Sequence, residues 1–301
     1  MTGTNIRGAH ARRSRVLITG LLTAAMLSTG TAAAHAWPAA APNDEPTVIA
    51  HRGASAQAPE NTLPAVELGT KADFVEVDVQ MTKDGELVVI HDTTLDRTTD
   101  VESKYPDRAP YNVGDFTLAE IRTLDAGSWF SDEYAGTRIP TLEEVLDTLR
   151  GRAGLLLEVK SPALYPGIAE AIVAELDGEG WLRANPRSGR LIVQSFNWDF
   201  MAQFNSLAPK VPAGLLGGPP SEAEMAELST WADQINPNHN QVDAEFIDTV
   251  HEYGMVTWPY TVDDPARMGE LAGIGVDGII TNHPAVLIEV LREGPGLRDA
   301  A

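Results

Sequence analysis

Phe74-Val75-Glu76-Val77-Asp78-Val79 is the stretch whose reading decides the fold. Its β-branched and aromatic residues suit a pleated strand. A side-chain period of two puts Glu76 and Asp78 on one face of that strand. A single acid on a strand most often faces water. Both acids here sit inside an apolar run of the kind found in strands covered on both faces, and Leu155-Leu156-Leu157-Glu158-Val159-Lys160 repeats the pattern. By the same period, Glu158 and Lys160 share a face. Strands covered twice belong to a parallel sheet clothed in helices.

Working outward, short apolar runs recur at Thr47–Ala50, Leu87–Ile90, Leu191–Gln194, Ala213–Leu216, Val256–Thr261 and Gly278–Thr281, with a weaker one at Gln234–Asn236. Amphipathic stretches lie between them, at Leu63–Thr70, Leu142–Leu149, Ile168–Leu176, Trp198–Leu207, Glu222–Leu228 and Ala244–Tyr253. Strand and helix alternating at this spacing imply βαβ units and an α/β fold. Nine candidate strands are one more than an eight-stranded barrel needs, and periodicity does not identify the surplus one. Asp96–Pro140 interrupts the rhythm with Asp, Arg, Tyr and Pro and one short helical piece, Leu118–Leu124. It reads as an insertion after the third strand, about residues 96–140, placed to cover a site. Thr141 then caps the next helix, with Glu144 at the capping-box position.

The chain has 301 residues, enough for one large core. Its 22 Lys and Arg face 43 Asp and Glu, a formal charge of −21 that excludes nucleic acid and anionic membrane as main partners. Residues 1–36 differ from the rest. Arg7, Arg12, Arg13 and Arg15 precede an apolar run from Val16 to Leu27, and Ala34-His35-Ala36 fits a cleavage site before Trp37. This is the pattern of a secretory signal, with an apolar run too short for a membrane span. Arg15 falls where a twin-arginine signal is apolar, which favours the Sec route. Cleavage would leave 18 basic against 43 acidic residues, a charge of −25. Residues 37–46 would then be a proline-bearing linker, and 47–301 the folded domain expected of an exported, extracellular protein. Cysteine is absent, so any metal is held by oxygen or imidazole.

In a parallel barrel the C-terminal strand ends converge on one mouth. The candidate strands would deliver His51-Arg52, Glu76 and Asp78, His91-Asp92, Glu158 and Lys160, and Gln194-Ser195 to it. A buried, unpaired carboxylate costs on the order of several kcal/mol, so three of them need a cation or a set of donors. Arg52 and Lys160 could neutralise them as a structural ion-pair network. A hard divalent cation, Mg²⁺ or Ca²⁺, on Glu76, Asp78 and Glu158 fits the oxygen donors better, with a zinc site of histidines and acids as a further alternative. His51 and His91 beside such a site suit proton transfer near neutral pH. Arg52 can hold a phosphoryl group in a bidentate fork and Lys160 as a point charge. Together these groups suit metal-assisted hydrolysis of a phosphate diester.

The residues also carry a resemblance. His51-Arg52-Gly53 with Pro59-Glu60-Asn61-Thr62, the run Glu76–Asp92, Leu157–Lys160, Gly114–Phe130, Val193–Phe200, Pro259–Asp264 and Gly275–Pro284 together resemble the glycerophosphodiester phosphodiesterase family, secreted bacterial type, over nearly the whole chain after residue 36. The resemblance implies a TIM (β/α)8 barrel and hydrolysis of glycerophosphodiesters to sn-glycerol 3-phosphate and an alcohol. It implies a divalent cation at Glu76, Asp78 and Glu158, His51 and His91 as the acid–base pair, Arg52 and Lys160 on phosphate, and Glu60 in support. The family usually has Trp and Asn where this chain has Tyr260 and Asp263, and Asp where it has Asn282. Tyr260 can stack on a glycerol face, so these departures imply a changed head-group preference. Trp129 in the insertion is a further candidate for the substrate-binding wall, with packing of the insertion onto the barrel as the alternative.

Two other functions suit the same residues. A phospholipase D acting on lysolipids or sphingolipids would use a similar His, Glu and Asp set with different loops. A secreted phosphate-ester binding protein would keep the cluster without turnover.

Overall fold

The computed structural model describes Met1 and residues 45–294. The expected signal segment, apart from Met1, and all of the expected linker except Glu45 and Pro46 lie outside the described residues. The strands are β1 (Thr47–Ala50), β2 (Phe74–Met81), β3 (Leu87–Val89), β4 (Gly154–Val159), β5 (Leu191–Ser195), β6 (Ala213–Leu216), β7 (Gln234–Asn236) and β8 (Gly278–Thr281). Seven of them run parallel in the order β7-β6-β5-β4-β2-β1-β8. Residues 256–262 join the two ends. Ile235 and His239 donate to Val256 and Tyr260, while Ile280 donates to Pro259 and Val262 to Ile280, at 2.8–3.1 Å. This closes the TIM barrel. Pro259 has no N–H to give, so this stave is a ladder of separate bridges rather than a continuous strand.

The surplus ninth run is β3. It pairs antiparallel with β2, Val79 opposite Val89 and Met81 opposite Leu87, and is a hairpin arm rather than a barrel stave. Its Leu-Val-Val-Ile sequence resembles a barrel strand because both of its faces are covered. Leu87 and Val89 join the main core, whereas Val88 and Ile90 pack with Leu95, Phe116, Ile121 and Ile139 in the insertion's own core. The insertion does follow this third strand in the chain. It contains the short helices Val101–Lys104 and Leu118–Ile121.

The expected helices are present within a few residues, and Thr141 and Glu144 form the capping box. Trp181–Ser188, Pro265–Gly273 and Pro284–Glu293 are additional. The last two begin with proline, which marks a turn in sequence but is also favoured in the first helical turn.

One register rule places the site. Ile49, Phe74, Leu156, Ile192, Trp258 and Ile280 fill the barrel as an apolar plug, with the Phe74 and Trp258 rings edge to face at 5.2 Å. Two residues further along, the same inward faces carry His51, Glu76, Glu158, Gln194 and Tyr260. The interior therefore switches from dry to polar within one strand repeat, at the C-terminal mouth.

Gly53 follows β1 directly after His51 and Arg52. Its φ is +81°, and a Cβ there would lie 2.4–2.7 Å from the backbone of Ala65 and Val66 in the helix Leu63–Gly69. The glycine lets that helix lie against the strand-end loop. Gly53→Ala is expected to destabilise the fold by about 2–5 kcal/mol through clash and left-handed strain. That corresponds to a thermal midpoint lower by about 5–15 °C; an unchanged midpoint in a melting experiment would refute it.

Candidate active site

Three carboxylates meet at the mouth. Ligand oxygens of Glu76, Asp78 and Glu158 all lie within 4.8 Å of one another, and all three residues are buried. β2 and β4 bring them together through register, with Asp78 opposite Glu158. Two cations approach but do not balance them. The Arg52 backbone N–H donates to Glu76 Oε2 at 2.7 Å, and Arg52 Nε lies 3.5 Å from Asp78 Oδ2. Lys160 Nζ bonds Glu158 and sits 3.3 Å from Asp78 Oδ1. Arg52 is shared with Glu60, at 2.8 Å. Glu76 Oε1 and Asp78 Oδ1 are buried and make no hydrogen bond, Asp78 Oδ1 having only its ion pair with Lys160.

The electrostatics reflect that deficit. Burial, then the charges of Asp78 and Glu158, hold the Glu76 pKa well above the usual carboxylate range. Burial and Asp78 push Glu158 up to about 7. Burial also raises Asp78, but Lys160 and Arg52 outweigh it, so Asp78 is the acid that stays ionised. An all-oxygen site with two unsatisfied buried oxygens and a surplus of negative charge fits a hard divalent cation. Glu76, Asp78 and Glu158 could hold one.

Both predicted imidazoles border this cluster. His51 Nδ1 lies 2.7 Å from Asn282 Oδ1, and His91 Nδ1 lies 2.6 Å from Asp92 Oδ1. Each ring thus has its Nδ1 occupied. Burial, then Arg52, lowers the His51 pKa to about 4; burial lowers that of His91 as well. His91 does not arrive at the end of a barrel strand. It comes back on the β3 hairpin, where Ile90 N–H donates to Asp78 O at 2.9 Å. Gln80 Nε2 then donates to the carbonyls of Ile90, His91 and Asp92, at 3.0, 3.1 and 2.5 Å.

His51, Arg52, His91, Glu158, Lys160 and Tyr260 face one cavity of ≈ 390 Å³ over the barrel axis. A second, open lobe of ≈ 890 Å³ shares His91, Glu158 and Lys160 and extends between the loops that follow β3, β4 and β5. Phe196 divides the two. Its ring meets Tyr260 edge to face at 5.7 Å and has Lys160 Nζ 5.6 Å from its centroid. Trp129 lines neither lobe. Its Nε1 donates to Ala126 O and its ring packs edge-on against Phe130. Glu60 takes no part in the carboxylate cluster and instead accepts from Arg52 and Arg97.

Sequence reasoning missed Arg97 and underused Asn61. Arg97 bridges Asp92 and Glu60 with bonds of 2.5–3.1 Å, tying the partner of His91 to the partner of Arg52. Nothing in its local sequence distinguishes it. Asn61, with φ 57°, clamps Asp78 by donating from Nδ2 to the carboxylate (2.7 Å) and accepting the Asp78 N–H (3.1 Å).

A carboxylate cluster flanked by two oriented imidazoles and two cations, at the mouth of a TIM barrel, defines the class: a hydrolase built for an anionic ester. The glycerophosphoryl diester phosphodiesterase family model matches residues 51–286, and the chain belongs to that family. A glycerophosphodiester phosphodiesterase of Bacillus subtilis is 36% identical over 93% of this chain and 98% of its own length. One from Caldanaerobacter subterraneus is 40% identical over 82% and 98%. Among solved structures, a phosphodiesterase of Oleispira antarctica in complex with the product sn-glycerol-3-phosphate superposes with a TM-score of 0.74 at 29% identity, covering 82% of this chain and 97% of that one.

Proposed function

We propose that this protein hydrolyses glycerophosphodiesters to sn-glycerol 3-phosphate and an alcohol, using Mg²⁺ or Ca²⁺. The observation that carries this reading is the all-oxygen cluster with its two unsatisfied oxygens, set between two imidazoles whose Nδ1 atoms are already engaged. The cation, when bound, neutralises charge that builds on the phosphate oxygens. Arg52 and Lys160 orient the diester and add positive charge. One imidazole takes the proton of the attacking oxygen as its bond to phosphorus forms. The other gives a proton to the alcohol oxygen as its bond breaks. Tyr260 and Phe196 offer faces to the glycerol or alcohol part.

Polar groups on the axial lobe, among them Gln194 and Asn238, favour a small water-soluble diester over a lysolipid tail. No helix of the described residues is long and apolar enough to cross a membrane. Residues 1–36 support export through the Sec route to an extracellular place of action, the secreted type of the family. The test is a panel of glycerophosphocholine, glycerophosphoethanolamine and lysophosphatidylcholine, each with Mg²⁺, Ca²⁺ or EDTA. Metal-dependent release of glycerol 3-phosphate from the first two is expected. Turnover of the lysolipid alone would favour the phospholipase D alternative, and tight binding of a diester without product would favour the binding protein.

A further inference from the structure

Asn282 and Asp263 lie outside the carboxylate cluster, yet they decide which nitrogen of His51 faces the cleft. Asp263, exposed at the rim after the closing stave, accepts from the Asn282 backbone N–H (2.9 Å) and the Thr281 hydroxyl (3.1 Å) through Oδ1. Its Oδ2 lies 2.6 Å from Asn282 Nδ2. A carboxylate can only accept, so the NH₂ end of the Asn282 amide must face Asp263. Oδ1 of Asn282 must then face the other way, where it lies 2.7 Å from both the Ser55 hydroxyl and His51 Nδ1. An amide oxygen also only accepts. His51 therefore carries its proton on Nδ1 when neutral, and Nε2 is left for the reaction.

We propose that Asp263 and Asn282 form a positioning relay: Asp263 fixes the amide of Asn282, and Asn282 fixes the tautomer and ring orientation of His51. Neither touches the scissile group. The kinetic arm rests on the diesterase reading above; the spectroscopic arm does not. The charged groups facing His51 are Arg52 and Lys160, which lower its pKa, and Asp78, which raises it.

Asp263→Asn frees the Asn282 amide to rotate, which lets Nδ1 accept and moves the neutral ring's proton to Nε2. The variant is expected to lose at least about tenfold in kcat with KM little changed, as a wrong-tautomer histidine does. Asn282→Asp alone sets two carboxylates against each other and loses activity as well. The double variant Asp263→Asn/Asn282→Asp restores a donor facing an acceptor. It is expected to recover kcat to within about threefold and to move the His51 limb of the pH profile upward, because a carboxylate now accepts from Nδ1. Nitrogen-15 NMR of His51 reads the tautomer without any turnover. The parent should show Nδ1 protonated, and Asp263→Asn should show the two tautomers mixed or reversed. A double variant no better than the weaker single one, or an unchanged His51 tautomer in Asp263→Asn with normal melting, would overturn the relay. An inactive parent with the expected tautomer shift would count against the diesterase reading and leave the relay standing.

Discussion

His51→Ala and His91→Ala are each expected to lower kcat by ~100-fold or more, the scale of a positioned acid or base. The geometry gives each ring a separate place and the same kind of tether. His51 is held through Nδ1 by Asn282, and His91 through Nδ1 by Asp92, leaving one nitrogen of each for chemistry. The two arrive from different directions, one at the end of β1 and one on the returning hairpin, so both sides of a bound phosphate can be served. Neither ring belongs to the carboxylate cluster. Both variants should therefore keep the stabilisation that a divalent cation gives the parent protein, which separates lost chemistry from a lost site. Steady-state rates on glycerophosphocholine and melting curves with and without Mg²⁺ or Ca²⁺ make the comparison. A variant that keeps more than about a tenth of the parental kcat is not missing an acid or a base.

The carboxylates were legible because strand periodicity is rigid. Once Phe74–Val79 and Leu155–Lys160 are strands, Glu76, Asp78 and Glu158 must share the barrel interior, and register does the rest. Trp258 and the apolar plug follow from the same rule. Sequence could not tell the hairpin arm from a stave for an energetic reason: a strand covered on both faces by two different cores carries the same apolar run as a barrel stave. His91 was still placed correctly at the mouth, because the hairpin returns its chain to the level of Asp78.

Residues that act through others were harder to read. Arg97 reaches Glu60 across 37 positions and Asn282 reaches His51 across 231, and no periodicity links such pairs. Asp263 and Asn282 were visible only as two separate departures from the family pattern. The structure shows them in contact, so one altered hydrogen-bonded pair accounts for both. Trp129 supported two readings from sequence, a substrate wall and packing of the insertion. An aromatic residue in an insertion resembles a substrate wall until its Nε1 is found bonded within its own turn.

Metal is expected to stabilise this protein more at pH 8 than at pH 5.5. Without metal, Glu158 is held at about 7, against an ordinary value of 4.5 in the unfolded chain. A carboxyl raised on folding contributes stability that is fully present below 4.5 and is lost as pH rises through 7. Glu76 shifts in the same direction and adds to the loss. Asp78 shifts the other way, so its contribution is present above its ordinary range and is lost only in acid. The metal-free site is thus most strained where its acids are ionised, and a divalent cation relieves that strain by balancing their charge. At pH 5.5 protons compete for Glu158, and from that group alone affinity should be about 30-fold weaker than at pH 8. A cation at about 100 times its Kd contributes about 2.7 kcal/mol. That is a rise of about 5–10 °C in the melting midpoint at pH 8. The same concentration at pH 5.5 should give well under half of that rise, and Glu158→Gln should narrow the difference between the two pH values, leaving the part that Glu76 contributes. Equal midpoint shifts at both, in parent and variant alike, would mean that the three acids do not bind the ion.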